Sequence, residues 1–152
     1  MPVNKLKDFL DEQNVKYIVI LHSQAFTAQE IAASAHIPGK EFAKTVILKM
    51  DKKMAMAVLP SSYKIDLEKC KEALGVSSVQ LAMEEEFKYL FPECEIGAMP
   101  PFGNLYNMET YVAESLIDNE EIAFNAGNHQ ELIKVSFKDF MRLVKPKIIK
   151  LV

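Results

Sequence analysis

The chain has 152 residues, 49% of them hydrophobic and 26% charged, with a formal net charge of −3. One domain over residues 1–152 is expected, large enough to bury roughly two-thirds of its unfolded surface without a disulfide or a metal. The charge balance excludes a protein that coats nucleic acid by bulk electrostatics, although a local basic strip fits within it. No apolar run approaches the roughly 18 residues of a membrane span, and the N-terminal Met-Pro-Val-Asn-Lys-Leu-Lys-Asp meets charge too soon for a signal peptide, so a cytoplasmic location is expected.

Val3, Leu6, Phe9 and Leu10 recur at helical spacing and predict a packing helix over residues 3–13, stopped at Asn14. Tyr17 to Leu21 reads as a short buried strand ending at His22. Thr27-Ala-Gln-Glu30 has capping-box spacing and predicts a helix to Ala35, closed by Pro38-Gly39. Thr45–Met50 and Met54–Leu59 predict a hairpin around Asp51-Lys52-Lys53. Asp66 caps a helix that Gly75 ends, a strand follows at Val79–Leu81, and a helix from Met83 to Leu90 stops before Pro92. Thr110–Val112, Glu121–Phe124 and Leu132–Val135 read as strands, Ser136 caps a last amphipathic helix, and Ile148–Leu151 pairs or packs. Helices and strands are mixed without regular alternation, which predicts an α+β fold with a mixed, largely antiparallel sheet.

Regular structure explains Glu95–Gly103 least. Pro100 and Pro101 fix φ and donate no hydrogen bond, while Gly97 and Gly103 allow angles or approaches that a side chain excludes. A stiff loop is expected, with amides able to face a ligand and Gly103 open to another molecule; an ordinary turn between strands is the alternative. Lys44, at a strand entrance, reads either as a solvated charge or as an ammonium held at a cleft, where it could take a phosphate or a developing oxyanion. His129, after Gly127-Asn128, either shapes a turn or orients water or substrate.

Cys70 and Cys94 form no Cys-x-x-Cys and have no histidine at ligand spacing, so reduced thiols are expected and no metal or other cofactor. No nucleophile elbow and no phosphate-binding glycine motif occurs, which disfavours covalent and nucleotide-cofactor chemistry. Glu84-Glu-Glu86 reads as a solvated first helical turn.

Together Phe42-Ala-Lys44-Thr-Val-Ile-Leu-Lys49, Gly97-Ala-Met-Pro-Pro-Phe-Gly103, Tyr111-Val-Ala-Glu-Ser-Leu116 and Phe124-Asn-Ala-Gly-Asn-His129 resemble the YbaK and prolyl-tRNA synthetase-associated editing-domain family, in order and spacing, from Tyr17 to Leu143. The resemblance implies a β-sheet partly closed like a barrel and surrounded by helices. It also implies a free-standing aminoacyl-tRNA deacylase that hydrolyses the ester of a misacylated tRNA, expected to be tRNA for proline carrying a small wrong amino acid. By the same likeness Lys44 contacts the terminal adenosine or its phosphate, and Gly97, Met99, Pro100, Pro101, Phe102 and Gly103 cradle the ester. Gly127, Asn128 and His129 lie near the acyl group, and His22, Phe26 and Thr27 border the pocket. Lys44, Gly103 and His129 are the residues expected to carry catalysis. The partners implied are the 3′ end of a misacylated tRNA and an aminoacyl-tRNA synthetase, and neither a membrane nor DNA. Ala113, where many relatives have Asp, and Met99-Pro100, in place of Ser-Pro or Thr-Pro, bear on which amino acid is removed.

An aminoacyl ester is already activated, so held water or the neighbouring ribose hydroxyl, with amides stabilising the oxyanion, could suffice. The alternative is a non-catalytic module that binds a tRNA 3′ end or an amino acid beside a synthetase.

Overall fold

The computed structural model describes residues 2–21 and 37–152. His22, Phe26, Thr27, His36 and the helix expected over residues 27–35 lie outside the described residues.

Helix α1 (Pro2–Glu12) lays Leu6 and Leu10 wholly into the core, and Asn14 ends it in the left-handed region at φ 57°. Strand β1 (Ile18–Leu21) follows. It is not the buried strand expected, because Ile18 is 56% and Leu21 74% exposed. It lies at the edge of its sheet, and an apolar run without period does not distinguish an edge strand from a buried one.

Strands β2 (Ala43–Met50) and β3 (Lys53–Pro60) form the expected antiparallel hairpin, with Asp51 at positive φ in the turn. Asp66 caps α2 (Leu67–Leu74), its carboxylate accepting from the amides of Glu68 and Lys69, and Gly75 ends that helix. Beyond β4 (Val79–Leu81), α3 (Glu84–Phe87) is shorter than expected and passes into a 3-10 turn over Lys88–Leu90. A second 3-10 turn, Gly103–Tyr106, precedes β5 (Glu109–Ala113). Then come β6 (Glu121–Asn125), β7 (Glu131–Ser136), α4 (Phe137–Val144) and β8 (Lys147–Ile149), with the Ser136 hydroxyl capping α4 as expected.

Among the described residues the strands make two sheets, ordered β1-β7-β6 and β4-β2-β3-β5-β8. The first is antiparallel throughout. The second is antiparallel from β4 to β3 and parallel from β3 through β5 to β8. This is the mixed α+β architecture expected. Among the described residues a single parallel bridge, Phe42 to Ala123, joins the sheets without closing them into a full barrel.

The pleat divides the core. Ala43, Ile47, Met56 and Val58 face one cluster with α1, the first sheet and α4, whereas Leu48, Met50, Ala57 and Leu59 face another with Cys70 of α2 and Leu151. The tail after α4 thus both pairs, through β8, and packs, through Leu151.

Candidate functional site

The pairing of β2 creates the opening. β3 occupies one edge of β2 over its whole length, from Ala43 opposite Pro60 to Met50 opposite Lys53. The other edge is shared. β6 meets it at Phe42, where the Ala123 amide donates to the Glu41 carbonyl, and β4 meets it at Leu48–Met50, with the Ala82 amide donating to Ile47. Between them, among the described residues, Ala43–Val46 have no strand on that edge. Alternation of main-chain direction aims the peptide groups of Ala43 and Thr45 into this gap, because Glu41 and Ile47, two residues to either side, already send their carbonyls that way.

The Glu95–Gly103 loop stands across the gap, tied to the Gly127–His129 turn. The Glu95 amide donates to Gly127 O at 2.9 Å, the Gly127 amide to Ala98 O at 2.9 Å, and the Ala98 amide back to Glu95 O at 3.1 Å. His129 Nε2 lies 2.8 Å from the Ile96 carbonyl. A carbonyl can only accept, so that ring nitrogen carries the proton. Asn128 closes the turn by accepting from the amides of Gln130 and Glu131. Gly97 has φ 85°, and a Cβ there would stand 3.5 Å from His129 Cε1, so the glycine is chosen by its backbone angle more than by crowding.

A cavity of about 220 Å³ lies where loop and gap meet, lined by Thr45, Val46 and Ile47 of β2, Leu81 at the end of β4 and Ala82 after it, Glu84 and Phe87 of α3, and Ile96, Gly97 and Met99 of the loop. Its wall is mostly apolar. A wider groove of about 750 Å³ beside Lys52, Lys53 and Tyr106 touches none of the loop–turn contacts, so the smaller cavity is the candidate site.

The expected residues separate into groups. Gly97, Met99, Gly127, Asn128 and His129 come together at or behind the cavity wall. Pro100, Pro101, Phe102 and Gly103 are buried. Phe102, expected to cradle the ester, packs in the core against Phe9, Phe124 and Phe140 at centroid distances of 6.2, 5.3 and 5.8 Å. Gly103 is not open to another molecule: a Cβ there would fall 2.2 Å from Thr110 Oγ1 and 2.5 Å from Met108 O, so the chain itself makes the close approach.

Lys44 is half-buried beside Thr45, on the face of β2 that carries Leu48 and opposite Leu59. Burial lowers its pKa and the charge of Lys64 lowers it further. The described contacts do not link Lys44 directly to the loop.

Sequence reasoning missed Leu81, Ala82, Phe87 and Ile96 in the lining, and local patterns offer no signal for them. Thr45 had a signal, since it adjoins Lys44 in the same run. The acidic turn is also more than solvated, because Lys49 Nζ lies 2.6 Å from Glu86 Oε2, one residue before cavity-lining Phe87. Cys94, two residues before Ile96, is held as a thiol: burial pushes its pKa up, and its Sγ lies 3.6 Å from the Tyr106 hydroxyl. Among the described residues no group of three or more His, Cys, Asp or Glu side chains is placed to hold a metal, and no helix is long and apolar enough to cross a membrane.

A family model described as the aminoacyl-tRNA editing domain matches residues 22–143. Proline–tRNA ligases of Bacillus cereus (strain AH187) and Bacillus mycoides (strain KBAB4) are each 31% identical over 75 residues, which is 49% of this chain and 13% of the ligase. The chain therefore corresponds to a small part of those relatives. A crystal structure of a candidate trans-editing enzyme for prolyl tRNA synthetase superimposes with TM-score 0.83 at 21% identity, covering 99% of this chain and 96% of the other. Another, of a hypothetical protein, gives TM-score 0.86 at 18% identity over 97% and 98% of the two chains. At these identities the two structures speak for the fold.

Proposed function

Because the chain belongs to the aminoacyl-tRNA editing domain family, we propose that it hydrolyses the ester of a misacylated tRNA, with tRNA for proline carrying a small wrong amino acid as the leading substrate. The observation that carries this reading is the loop–turn junction: main-chain hydrogen bonds and the His129–Ile96 contact fix a wall of backbone beside the edge of Ala43–Val46 that carries no strand among the described residues. The amino-acid side chain enters the apolar cavity, whose volume of about 220 Å³ lies below the usual range for larger ligands. The ester carbonyl then faces the main chain at Gly97 and Met99, whose amides are set before charge develops, the Ala98 amide between them being given to Glu95 O.

Water attacks the carbonyl carbon, the free ribose hydroxyl beside the ester serving to hold that water and pass on its proton, and the ester's ribose oxygen leaves as a protonated hydroxyl while the amino acid leaves as its carboxylate. The chain need supply no covalent nucleophile, which agrees with the raised thiol pKa of Cys94. Lys44, one residue from cavity-lining Thr45, places positive charge on the terminal nucleotide. His129 acts from behind the wall, by holding the Ile96 carbonyl. Exclusion by size suits a second site, since one methylene changes binding by only about 1–3 kcal/mol and a large correct residue is the easier one to refuse.

The test is release of amino acid from tRNA charged with alanine, cysteine or serine, with Lys44→Ala expected to lower turnover by about 10²-fold or more, the scale for loss of a placed electrostatic group. The second reading, a binding module beside a synthetase, draws on one fact: His129 is only 4% exposed and so does not itself offer a proton to the cavity. Tight binding of tRNA without release across the whole panel would select that reading.

A further inference from the structure

Among the described residues that line the small cavity, Glu84 is the only charged one, and it shares that lining with Gly97 and Met99 of the loop. Its position is set from both sides. The Ala82 amide donates to Ile47 O at 2.9 Å, which ties the chain before Glu84 to β2, and Phe87, three residues on, is buried in the core. The Lys88 amide donates to Glu84 O and closes the turn between. The glutamates of this turn are used differently. Glu85 Oε2 lies 3.1 Å from Lys88 Nζ, and Glu86 Oε2 lies 2.6 Å from Lys49 Nζ while its other oxygen accepts the Met83 amide. Neither of those two lines the cavity. Glu84 does, and among the described residues it makes no ion pair.

A carboxylate without a cationic partner, on the wall of a cavity that otherwise carries no charge, suits a ligand cation. An aminoacyl ester carries one, the α-ammonium, on the carbon next to the ester carbonyl. With the carbonyl at Gly97 and Met99 and the side chain in the cavity, the ammonium is held between the two, at the same wall. A lysine side chain would also bring a cation, but a volume of about 220 Å³ favours the shorter group. We propose that the Glu84 carboxylate receives the free α-ammonium of the acyl group, so that the site accepts an unblocked amino acid and passes over an ester whose nitrogen is acylated, as on a peptidyl chain. The inference rests on the editing reading for its substrate, and it adds a second criterion to size: the cavity refuses large side chains, and the carboxylate refuses acyl groups that lack the charge.

The probe is an acceptor-stem hairpin whose 3′ ribose carries alanine through an amide in place of the ester. Its comparison is the same hairpin carrying lactic acid, in which a neutral hydroxyl replaces the ammonium. By isothermal titration the wild-type protein should bind the alanyl form about tenfold more tightly, the low end for a hydrogen bond to a charged group because Glu84 is exposed. Glu84→Gln keeps the shape and should bind both forms with the wild-type affinity for the lactyl one. Glu85→Gln, on the same turn but outside the lining, should keep the whole preference. With ester-linked alanyl-tRNA, Glu84→Gln should raise KM about tenfold and leave kcat within about twofold, since the ammonium is present before and during attack; a wall merely loosened would weaken both hairpins equally. Equal wild-type affinity for the two hairpins, an alanyl preference that survives in Glu84→Gln, or failure of both hairpins to bind would overturn the proposal. An alanyl preference that Glu84→Gln abolishes, with no release of amino acid from any charged tRNA, would instead uphold it and sink the editing reading.

Discussion

The two arms of the Glu95–Gly103 loop are held by different physics. The first arm, Glu95 to Ala98, is exposed at Ile96 and Gly97 and is fixed by hydrogen bonds to the Gly127–His129 turn. The second, Pro100 to Gly103, is buried and fixed by packing: Phe102 enters an aromatic group with Phe9, Phe124 and Phe140, and Gly103 lies against Thr110 and Met108. Packing is undirected and strong, so the second arm anchors the loop. Hydrogen bonds are directed and weaker singly, so the first arm sets where its peptide groups point. Substitutions in the anchor should therefore cost stability, and those in the directed arm should cost turnover first.

The largest effect tests the anchor. Phe102→Ala empties a fully buried ring site and should destabilise the fold by about 3–5 kcal/mol, read from urea unfolding. Gly103→Ala comes next. Its Cβ meets a main-chain oxygen as well as the Thr110 hydroxyl, so rotation of Thr110 cannot relieve it, and a loss of about 1–3 kcal/mol is expected. Loss of turnover with unchanged stability in either variant would erase the contrast between the arms.

That contrast is only half legible in the sequence. Composition marks Glu95–Gly103 as irregular, and local chemistry fixes many of its neighbours: Asp66 and Ser136 as caps and Asp51 in the hairpin turn all stand where expected. These features are decided within a few residues. Gly97 and Gly103 look alike in a string, yet one is chosen for its backbone angle and the other for the atoms packed against it, and those atoms come from residues 108 and 110. The cavity lining from Leu81, Ala82 and Phe87 is likewise set by where β4 stops along β2, a register that no short pattern carries. The exposure of β1 was missed for the same reason.

The directed arm gives smaller changes in stability. Gly97→Ala places a side chain at φ 85° and should cost about 1–2 kcal/mol through backbone strain alone, since His129 leaves room for the methyl group. His129→Asn removes the donor to Ile96 O and should cost about 1 kcal/mol. Turnover should fall further, by about 10²-fold, because a displacement near 1 Å at a reacting group has that effect. Stopped-flow release of amino acid beside thermal melts separates the two quantities, and proportionate losses would mean that His129 merely holds the turn.

The smallest effect concerns α3, which Glu86 ties to β2. Its carboxylate meets Lys49 Nζ at 2.6 Å and accepts the Met83 amide at 3.0 Å, and these two contacts, the lysine first, hold its pKa below the usual range. A carboxyl with a depressed folded pKa adds stability that is present above its unfolded value of about 4.3 and is lost as pH falls through the folded value. Glu86→Gln should thus flatten the acid limb of the stability curve below about pH 4.3 and leave the curves parallel above it. Because Glu84 and Phe87 line the cavity on either side of Glu86, the same variant should loosen this wall and admit larger acyl groups before it harms the small ones. Identical acid limbs with unchanged acyl selectivity would assign the pair to the surface and leave the loop as the sole determinant of the cavity's shape.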